Sequence, residues 1–364
     1  MTQQEESALR LVENLGHVLP RKHRVLIIPH DYPDPDALAA AAAIHLLLAE
    51  RFGVKSQIAF SGEVSRAENK ELLRRMKYRC HKVSELRPAR KSIPCILVDT
   101  APWSRNVTVP SFAKPIGVID HHQHAIAKRA DANLFTDIRA GAGATTTITY
   151  EYLKAAEIAI PKWLAAVMAY AIASETLDLS RDSGKADVEA YVELATRADL
   201  KVIGKIRHAP LPRAYFARLQ EALNRAQKLD NVAWTHLEET EQPEIVAEVA
   251  DLLLRMEGLR WAFCTANRGD DLLVSIRSNH RGARCSQLLR SAIGRGGAAG
   301  GHHRMAAGFL DLAKLTNDER EAKRLAFVKN LVRRIARLPT GEGEAWLRKV
   351  EPLVERHDLP ATLT

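Results

Sequence analysis

The apolar pattern of the chain begins at residues 24–29, Arg-Val-Leu-Ile-Ile-Pro, a near-continuous hydrophobic run of the kind shown by a strand buried on both faces. Residues 36–52 follow, rich in Ala and Leu and stopped by Gly53, and they predict a helix. Residues 94–99 and 115–120 are two more short apolar runs, each ending in an aspartate. Helical patterns cover 145–153 and 162–172. Short buried strands alternating with helices predict a largely parallel sheet with both faces covered. In such sheets ligands bind beyond the carboxyl ends of the strands, which is where both terminal aspartates fall.

From Ser183 the pattern turns polar and helical, and residues 205–213, Lys-Ile-Arg-His-Ala-Pro-Leu-Pro-Arg, hold the clearest helix-breaking cluster in mid-chain. Strand patterns return at 261–266 and 271–277. A helix is expected over 283–293, then a glycine-rich turn over 294–308. The last fifty residues read as helices, with Leu325, Val328, Leu331, Ile335 and Leu338 at helical spacing among Arg and Lys. That spacing predicts a helix packed on the second domain with a solvated basic face. A chain of 364 residues exceeds one ordinary domain. The fold class is therefore α/β: an N-terminal, mostly parallel sheet with flanking helices over 1–200, a linker helix region over 201–240, and a smaller C-terminal α/β domain with a mixed sheet and terminal helices over 241–364.

Composition narrows the candidates. A hydrophobic fraction of 46% and a charged fraction of 27% are ordinary for a soluble globular protein. No stretch reaches the roughly 18 to 20 uncharged apolar residues of a membrane helix, and Met1 to Glu6 lacks the start of a signal peptide, so a cytoplasmic location is expected. Cys80, Cys95, Cys264 and Cys285 are widely separated and suggest neither a zinc knuckle nor a disulfide framework. The net charge of +9 favours phosphate-bearing ligands. An aromatic content of 5% argues against a stacking platform for many bases, so short or small phosphorylated substrates fit better than long strands.

The candidate chemistry starts at His30-Asp31-Tyr32-Pro33-Asp34-Pro35-Asp36, where His30 offers one imidazole and Asp34 and Asp36 two carboxylates beyond the first strand. Asp99 and Asp120 arrive on separate strands, and His121 and His122 follow at once. Carboxylates with some imidazole suit Mn²⁺ or Mg²⁺. Two such ions about 3.5 to 4 Å apart can activate water and neutralise phosphoryl oxygens, provided one carboxylate bridges them. Each residue alone has a plainer reading: Asp36 as a helix N-cap, Asp34 as a turn residue, His30 as a satisfied strand-end histidine. Their joint occurrence in order at strand ends favours the metal site.

These motifs resemble those of the DHH phosphoesterases, a family that includes RecJ-type exonucleases, oligoribonucleases that also act on 3′-phosphoadenosine 5′-phosphate, and cyclic-dinucleotide phosphodiesterases. Residues 30–37 resemble its first motif, Val98-Asp99-Thr100 its second, and Asp120-His121-His122 its name-giving triad. Arg277 with the segment from Gly300 to Gly308 resembles the DHH-associated C-terminal domain. The resemblance implies His30 and Asp34 as ligands of one ion, Asp36 and His121 of the other, and Asp99 as the bridge. Asp120 would bind metal or orient its neighbours, and His122 would act at the phosphate or hydrogen-bond a metal ligand. Where the family has an aspartate in its fourth motif, this chain has Ala173-Ser174-Glu175-Thr176-Leu177-Asp178, so Glu175 takes the place by position, with Asp178 as the other candidate. Pro35 stands where the family commonly has glycine. Arg277, Gly300, Gly301 and His302 or His303 would bind substrate. Thr145, Thr146 and Thr147 are read as caps of their own helix, with phosphate contact as the alternative.

The expected function is a manganese-dependent phosphoesterase with two ions, Mg²⁺ being an alternative metal. It would hydrolyse small nucleotides or short single-stranded RNA in a cleft between the domains. The absence of the extra domains of long-strand exonucleases favours such substrates, and a homodimer is compatible with the sequence. A polyphosphate or pyrophosphate hydrolase is the alternative enzyme. A nucleotide-binding sensor with impaired turnover, suggested by Glu175 and Pro35, is the alternative outside catalysis.

Overall fold

The computed structural model of the chain describes residues 3–20, 24–87, 92–104, 106–122, 134–301, 303–338 and 345–353. The chain divides into two compact units, residues 1–210 and 211–364.

The sheet of the first unit contains β1 (Val25–Pro29), β2 (Ser56–Phe60), β3 (Cys80–Lys82), β4 (Ile93–Val98), β5 (Ala113–Asp120) and β6 (Phe135–Ile138), in the order β3-β2-β1-β4-β5-β6. Every pairing is parallel. The chain builds outward from β1 to β3 and then resumes on the other side of β1 with β4. The order thus reverses between β1 and β4, and a crevice opens at their carboxyl ends.

Among the described residues seven helices accompany this sheet: α1 (Gln3–Val18), α2 (Pro35–Phe52), α3 (Ala67–Arg75), α4 (Thr145–Ala155), α5 (Lys162–Glu175), α6 (Lys185–Arg197) and α7 (Leu200–Arg207). Alternation along the strands decides what each face meets. Val25, Ile27, Ile96, Val98 and Ile119 share a core with residues of α1, α2, α4 and α5. Leu26, Ile28, Cys95, Leu97 and Val118 form a separate cluster with Ala101, Trp103, Val107, Val109 and Phe112. Both faces are covered as the apolar strand runs imply, but among the described residues the second is covered by connecting segments rather than by a helix.

α2 lies at the centre of the helical layer and packs on α4 and α5. Ala37 and Ala39 to Ala43 are fully buried, and side chains this small let neighbouring helices approach closely. The helix is capped by Asp34, whose Oδ1 accepts from the amide of Ala37 at 3.0 Å, so the cap is Asp34 and not Asp36. Pro35 fills the first helical position, where its fixed φ is favourable and its missing N–H is not needed. Gly53 ends the helix at φ +62°.

The second unit has a mixed sheet of seven strands, β7 (Gln227–Leu229), β8 (Val232–Leu237), β9 (Trp261–Arg268), β10 (Asp271–Ser278), β11 (Gly297–Gly301), β12 (Met305–Asp311) and β13 (Glu351–Pro352). Its order is β11-β12-β10-β9-β8-β7-β13, with β8 and β9 parallel and the remaining pairs antiparallel. The helices are α8 (Arg213–Asn224), α9 (Glu244–Leu254), α10 (Cys285–Ile293) and α11 (Asn317–Ala336). α9 supplies the crossover that the parallel pair requires. One core joins Trp234, Phe263 and Ile276 to α10 and α11, and the other joins Ala233, Ala262 and Cys264 to α8 and α9.

The stretch 201–240 contains α7, α8, β7 and β8, and the division between units falls at Pro210 and Leu211 within it. Two expectations need correction here. The glycine-rich stretch 294–308 is largely the antiparallel hairpin β11–β12, in which pairing with Ala306 to Leu310 keeps Gly297 to Gly301 extended. The last fifty residues include the short strand β13 besides α11, whose buried face is Phe327, Leu331, Val332 and Ile335, while Leu325 is exposed. No described helix is long and apolar enough to cross a membrane.

Candidate metal centre

The carboxyl ends of β1, β4 and β5 bring His30, Asp99, Asp120, His121 and His122 together with Asp34 and Asp36 from the start of α2. Two groups of side chains have atoms close enough to share an ion: His30 with Asp34 and Asp99, and Asp99 with His121 and His122. Asp99 belongs to both. Its Oδ2 lies 3.4 Å from Nε2 of His30, and its Oδ1 lies 3.6 Å from Nε2 of His121.

The histidines are oriented by what holds their other nitrogen. Nδ1 of His30 donates to the carbonyl of Asp31 at 2.8 Å, and Nδ1 of His121 donates to the carbonyl of Ala142 at 3.2 Å. A carbonyl can only accept, so Nδ1 carries a proton in each ring and Nε2 is the atom that faces the carboxylates. Nε2 of His121 is buried and has no hydrogen-bond partner, at 3.6 Å from Asp99 and 3.9 Å from Asp36. A buried ring nitrogen left unpaired among carboxylates fits a divalent cation. The donor set of imidazole nitrogen and carboxylate oxygen, without thiolate, suits Mn²⁺ or Mg²⁺.

His122 is held differently. Its amide and its Nδ1 both reach Oδ1 of the fully buried Asp120, at 3.0 and 2.8 Å, which leaves Nε2 on the far side of the ring. Burial opposes its charge, but the Asp120 hydrogen bond and the negative charges of Asp99, Asp120 and Glu175 outweigh it and push the imidazole up to about 9.

The carboxylates are crowded, and the crowding shows in their protonation. Burial and the charge of Asp99 hold Asp36 well above the usual carboxylate range. Burial, with Asp34 and Asp99 nearby, pushes Glu175 up to about 8 against the pull of Arg181 and His122. Asp34 is lowered despite its burial, because His30 hydrogen-bonds to it. Such a concentration of buried negative charge calls for a cation.

Asp36 is gripped from across the fold. Its two carboxylate oxygens accept from the amides of Thr145 and Thr146, at 2.7 and 2.8 Å, at the positive end of α4. The hydroxyl of Thr145 donates to Asp99 at 2.7 Å, that of Thr146 to the Asp36 carbonyl at 3.2 Å, and that of Thr147 to Asp187 at 2.6 Å. The three threonines therefore do not cap their own helix as expected; Asp36 and Asp187 satisfy its first turn instead. Asp187, fully buried, also accepts from the amides of Gly143 and Gly184. Sequence reasoning passed over this residue. An acid at the third position of α6 signals a capping box, but its reach to α4 is a tertiary contact that no local pattern carries.

At the fourth motif, Glu175 ends α5 and is coupled by charge to Asp34, Asp99 and His122. Asp178 is exposed and takes both Nη atoms of Arg207, at 2.6 and 3.0 Å. Between and beyond them, Leu177, Asp178 and Leu179 have φ of +47°, +54° and +64°, a left-handed turn that brings Arg181 back onto the carbonyl of Glu175 at 2.5 Å. Asp99 and Tyr32 are also left-handed, at +59° and +56°. Each costs about 1–3 kcal/mol, and such strain gathers at functional sites.

The residues expected to bind substrate lie in the second unit. Arg277 in β10 is largely buried and donates to Asp251 at 2.6 Å and to Ser275 at 2.7 Å, so it is occupied by an ion pair. Gly300 and Gly301 are in β11, on the edge of the sheet, and pair with Ala307 and Ala306. The carbonyl of His303 accepts from the amide of Cys285 at 2.9 Å, and its side chain is exposed. His302 lies outside the described residues.

Residues 24–172 match the sequence model of the DHH family, N-terminal domain. This stretch is a DHH domain. The chain is 28% identical over 308 residues to an uncharacterized protein of Methanocaldococcus jannaschii, which covers 84% of this chain and 62% of that protein. It is 24% identical over 207 residues to a probable manganese-dependent inorganic pyrophosphatase of Streptococcus pyogenes, covering 50% of this chain and 65% of that one. It thus spans less than two thirds of either relative. Among solved structures, an exopolyphosphatase-related protein from Bacteroides fragilis superposes with a TM-score of 0.62 at 12% identity, over 90% of this chain and 97% of that one. This last likeness establishes the fold, and the DHH domain within it contains every residue of the crowded centre except Glu175.

Proposed function

We propose that the chain is a manganese-dependent phosphoesterase that hydrolyses small nucleotides or short oligoribonucleotides with two metal ions. The observation that carries this reading is the double membership of Asp99, whose carboxylate lies between the imidazoles of His30 and His121 and would bridge the two ions. His30 and Asp34 would hold one ion, His121 and Asp36 the other, and Glu175 would close the set from the end of α5. Asp36 can serve while bound to α4, since each carboxylate oxygen has a second lone pair. Bound Mn²⁺ would supply water activation and charge neutralisation at phosphorus.

The chain's own residues do the rest. Asp120 holds Nδ1–H of His122, and the imidazole would donate to a phosphoryl or leaving-group oxygen, as its raised pKa favours. α4 and Asp187 keep Asp36 and Asp99 in register, so little reorganisation is needed as charge develops. Arg277, Gly300, Gly301 and His302 or His303 are the candidate substrate contacts within the second unit.

A second reading, pyrophosphate or polyphosphate hydrolysis, is favoured by the similarity to the streptococcal protein over half of the chain. A panel of 3′-phosphoadenosine 5′-phosphate, RNAs of two to five nucleotides, cyclic dinucleotides and pyrophosphate, assayed with Mn²⁺ and after chelation, separates the two. Faster turnover of pyrophosphate than of every nucleotide would replace the first reading by the second, and no Mn²⁺-dependent turnover would end both.

A further inference from the structure

Tyr32 stands between His30 and Asp34 in the loop that carries the first motif, yet it takes no part in the centre itself. Its backbone is left-handed at φ +56°, a conformation that a bulky aromatic residue rarely adopts, and its side chain is 54% exposed. The loop is tied down on both sides of that strain. The amide of Tyr32 donates to the carbonyl of Ser61 at 2.9 Å, the amide of Asp31 to the carbonyl of Asn106 at 2.7 Å, and the Asp31 carboxylate accepts from Thr108.

The ring rests on Gly62, just past the end of β2. A Cβ built on Gly62 would meet Cγ, Cδ1 and Cδ2 of Tyr32 at 2.7, 2.7 and 2.9 Å. A point nearly equidistant from three ring carbons lies over the face of the ring, so the backbone of Gly62 supports one face. The exposed area therefore includes the opposite face. The support is itself anchored, because the Lys82 ammonium donates to the carbonyl of Gly62 and pairs with Glu63 at 3.0 Å. β2 lies beside β1, and neighbouring strands are about 4.8 Å apart, so the ring sits within one or two strand spacings of His30 at the same edge of the sheet.

We propose that Tyr32 is a stacking surface for one nucleobase of the substrate and makes this site select nucleotides over base-free phosphates. The proposal rests on the phosphoesterase reading above. An aromatic ring held face-open beside a phosphate-binding centre suits any base, since every base has a π-face, and a single ring fits a mononucleotide or the end of a short strand.

The test measures binding of adenosine 5′-monophosphate and of ribose 5-phosphate, which differ only by the base, to the Mn²⁺-loaded full chain by calorimetry. Two variants accompany the wild type. Tyr32→Phe keeps the ring, and Tyr32→Asn removes it with a residue that tolerates positive φ. The wild type and Tyr32→Phe are expected to prefer the nucleotide, and Tyr32→Asn to reduce that preference on the order of tenfold. Equal affinity of the wild type for the two ligands would overturn the proposal. So would a preference that survives in Tyr32→Asn, or losses equal on both ligands, which would mark a structural role. Turnover of the nucleotide panel is measured alongside: absent turnover with a preference that collapses in Tyr32→Asn removes only the phosphoesterase reading.

Discussion

The two units treat their charged residues in opposite ways. In the DHH unit, carboxylates and imidazoles converge from three strand ends and two helices, and Asp36 and Asp99 are also held by backbone amides or hydroxyls of α4. In the second unit, Arg277 is already paired with Asp251, and the glycines of β11 lie on a sheet edge. The first arrangement gathers buried carboxylates around histidine nitrogens and fits an added cation. The second is satisfied within the protein. The contrast places the demand for a cation in the DHH unit.

The strongest way to break that contrast is Asp99→Asn. Asparagine tolerates the left-handed backbone, so the fold should persist while the shared negative charge is lost. Mn²⁺-dependent hydrolysis should fall on the order of 10³-fold with an unchanged circular dichroism spectrum; a loss below tenfold would remove Asp99 from its central role.

Chelation comes next. At Mn²⁺ near 100 times its dissociation constant, binding contributes about 2.7 kcal/mol, so removing the ion should lower the melting temperature by roughly 5–10 °C. The lost hydrogen-exchange protection should centre on the carboxyl ends of β1, β4 and β5 and the start of α2. The effect should grow with pH. Glu175 titrates near 8 in the folded metal-free chain against 4.5 ordinarily, so the stability its proton contributes is complete below about 4.5 and lost as pH rises through 8. Ion binding needs the deprotonated group, so the gap between loaded and stripped protein should widen from pH 6 to 8.5. A constant gap would place Glu175 outside the ion's reach.

Asp187→Asn sharpens the comparison from a distance. Every partner of this carboxylate is a donor, and an amide nitrogen would face one of them unpaired. Mn²⁺ affinity should drop about 10- to 100-fold through the shifted α4, whereas an unchanged affinity would limit Asp187 to capping. The smallest effect is expected for Arg277→Ala: KM for a nucleotide raised about tenfold with kcat within twofold. A fall in kcat alone would contradict a binding role in the second unit.

Much of the DHH unit was legible because its strands are unbroken apolar runs whose last residues are chemically distinctive, as at Val98-Asp99 and Ile119-Asp120. Their shared edge follows from parallel topology. What stayed hidden depends on contacts distant in sequence: the hold of Asp187 on α4, and the grip of α4 on Asp36, 109 residues away. The second unit was legible as strands and helices, but the hairpin at 297–311 was read as a turn because glycine signals a bend more strongly than a ladder. Position favoured Glu175 over Asp178; the left-handed turn from Leu177 to Leu179, which spacing does not signal, goes with Asp178 pairing to Arg207.

The alanine run of α2 has a genetic consequence. Six buried alanines between α4 and α5 leave nothing to truncate, so every missense change other than to glycine adds atoms to a filled space, at about 1–3 kcal/mol. Because the first turn of the same helix presents Asp36 to the amides of α4, an added methyl group would pry apart the two helices that meet at that carboxylate. Inherited variation in this run should therefore surface as lost metal affinity before it surfaces as misfolding.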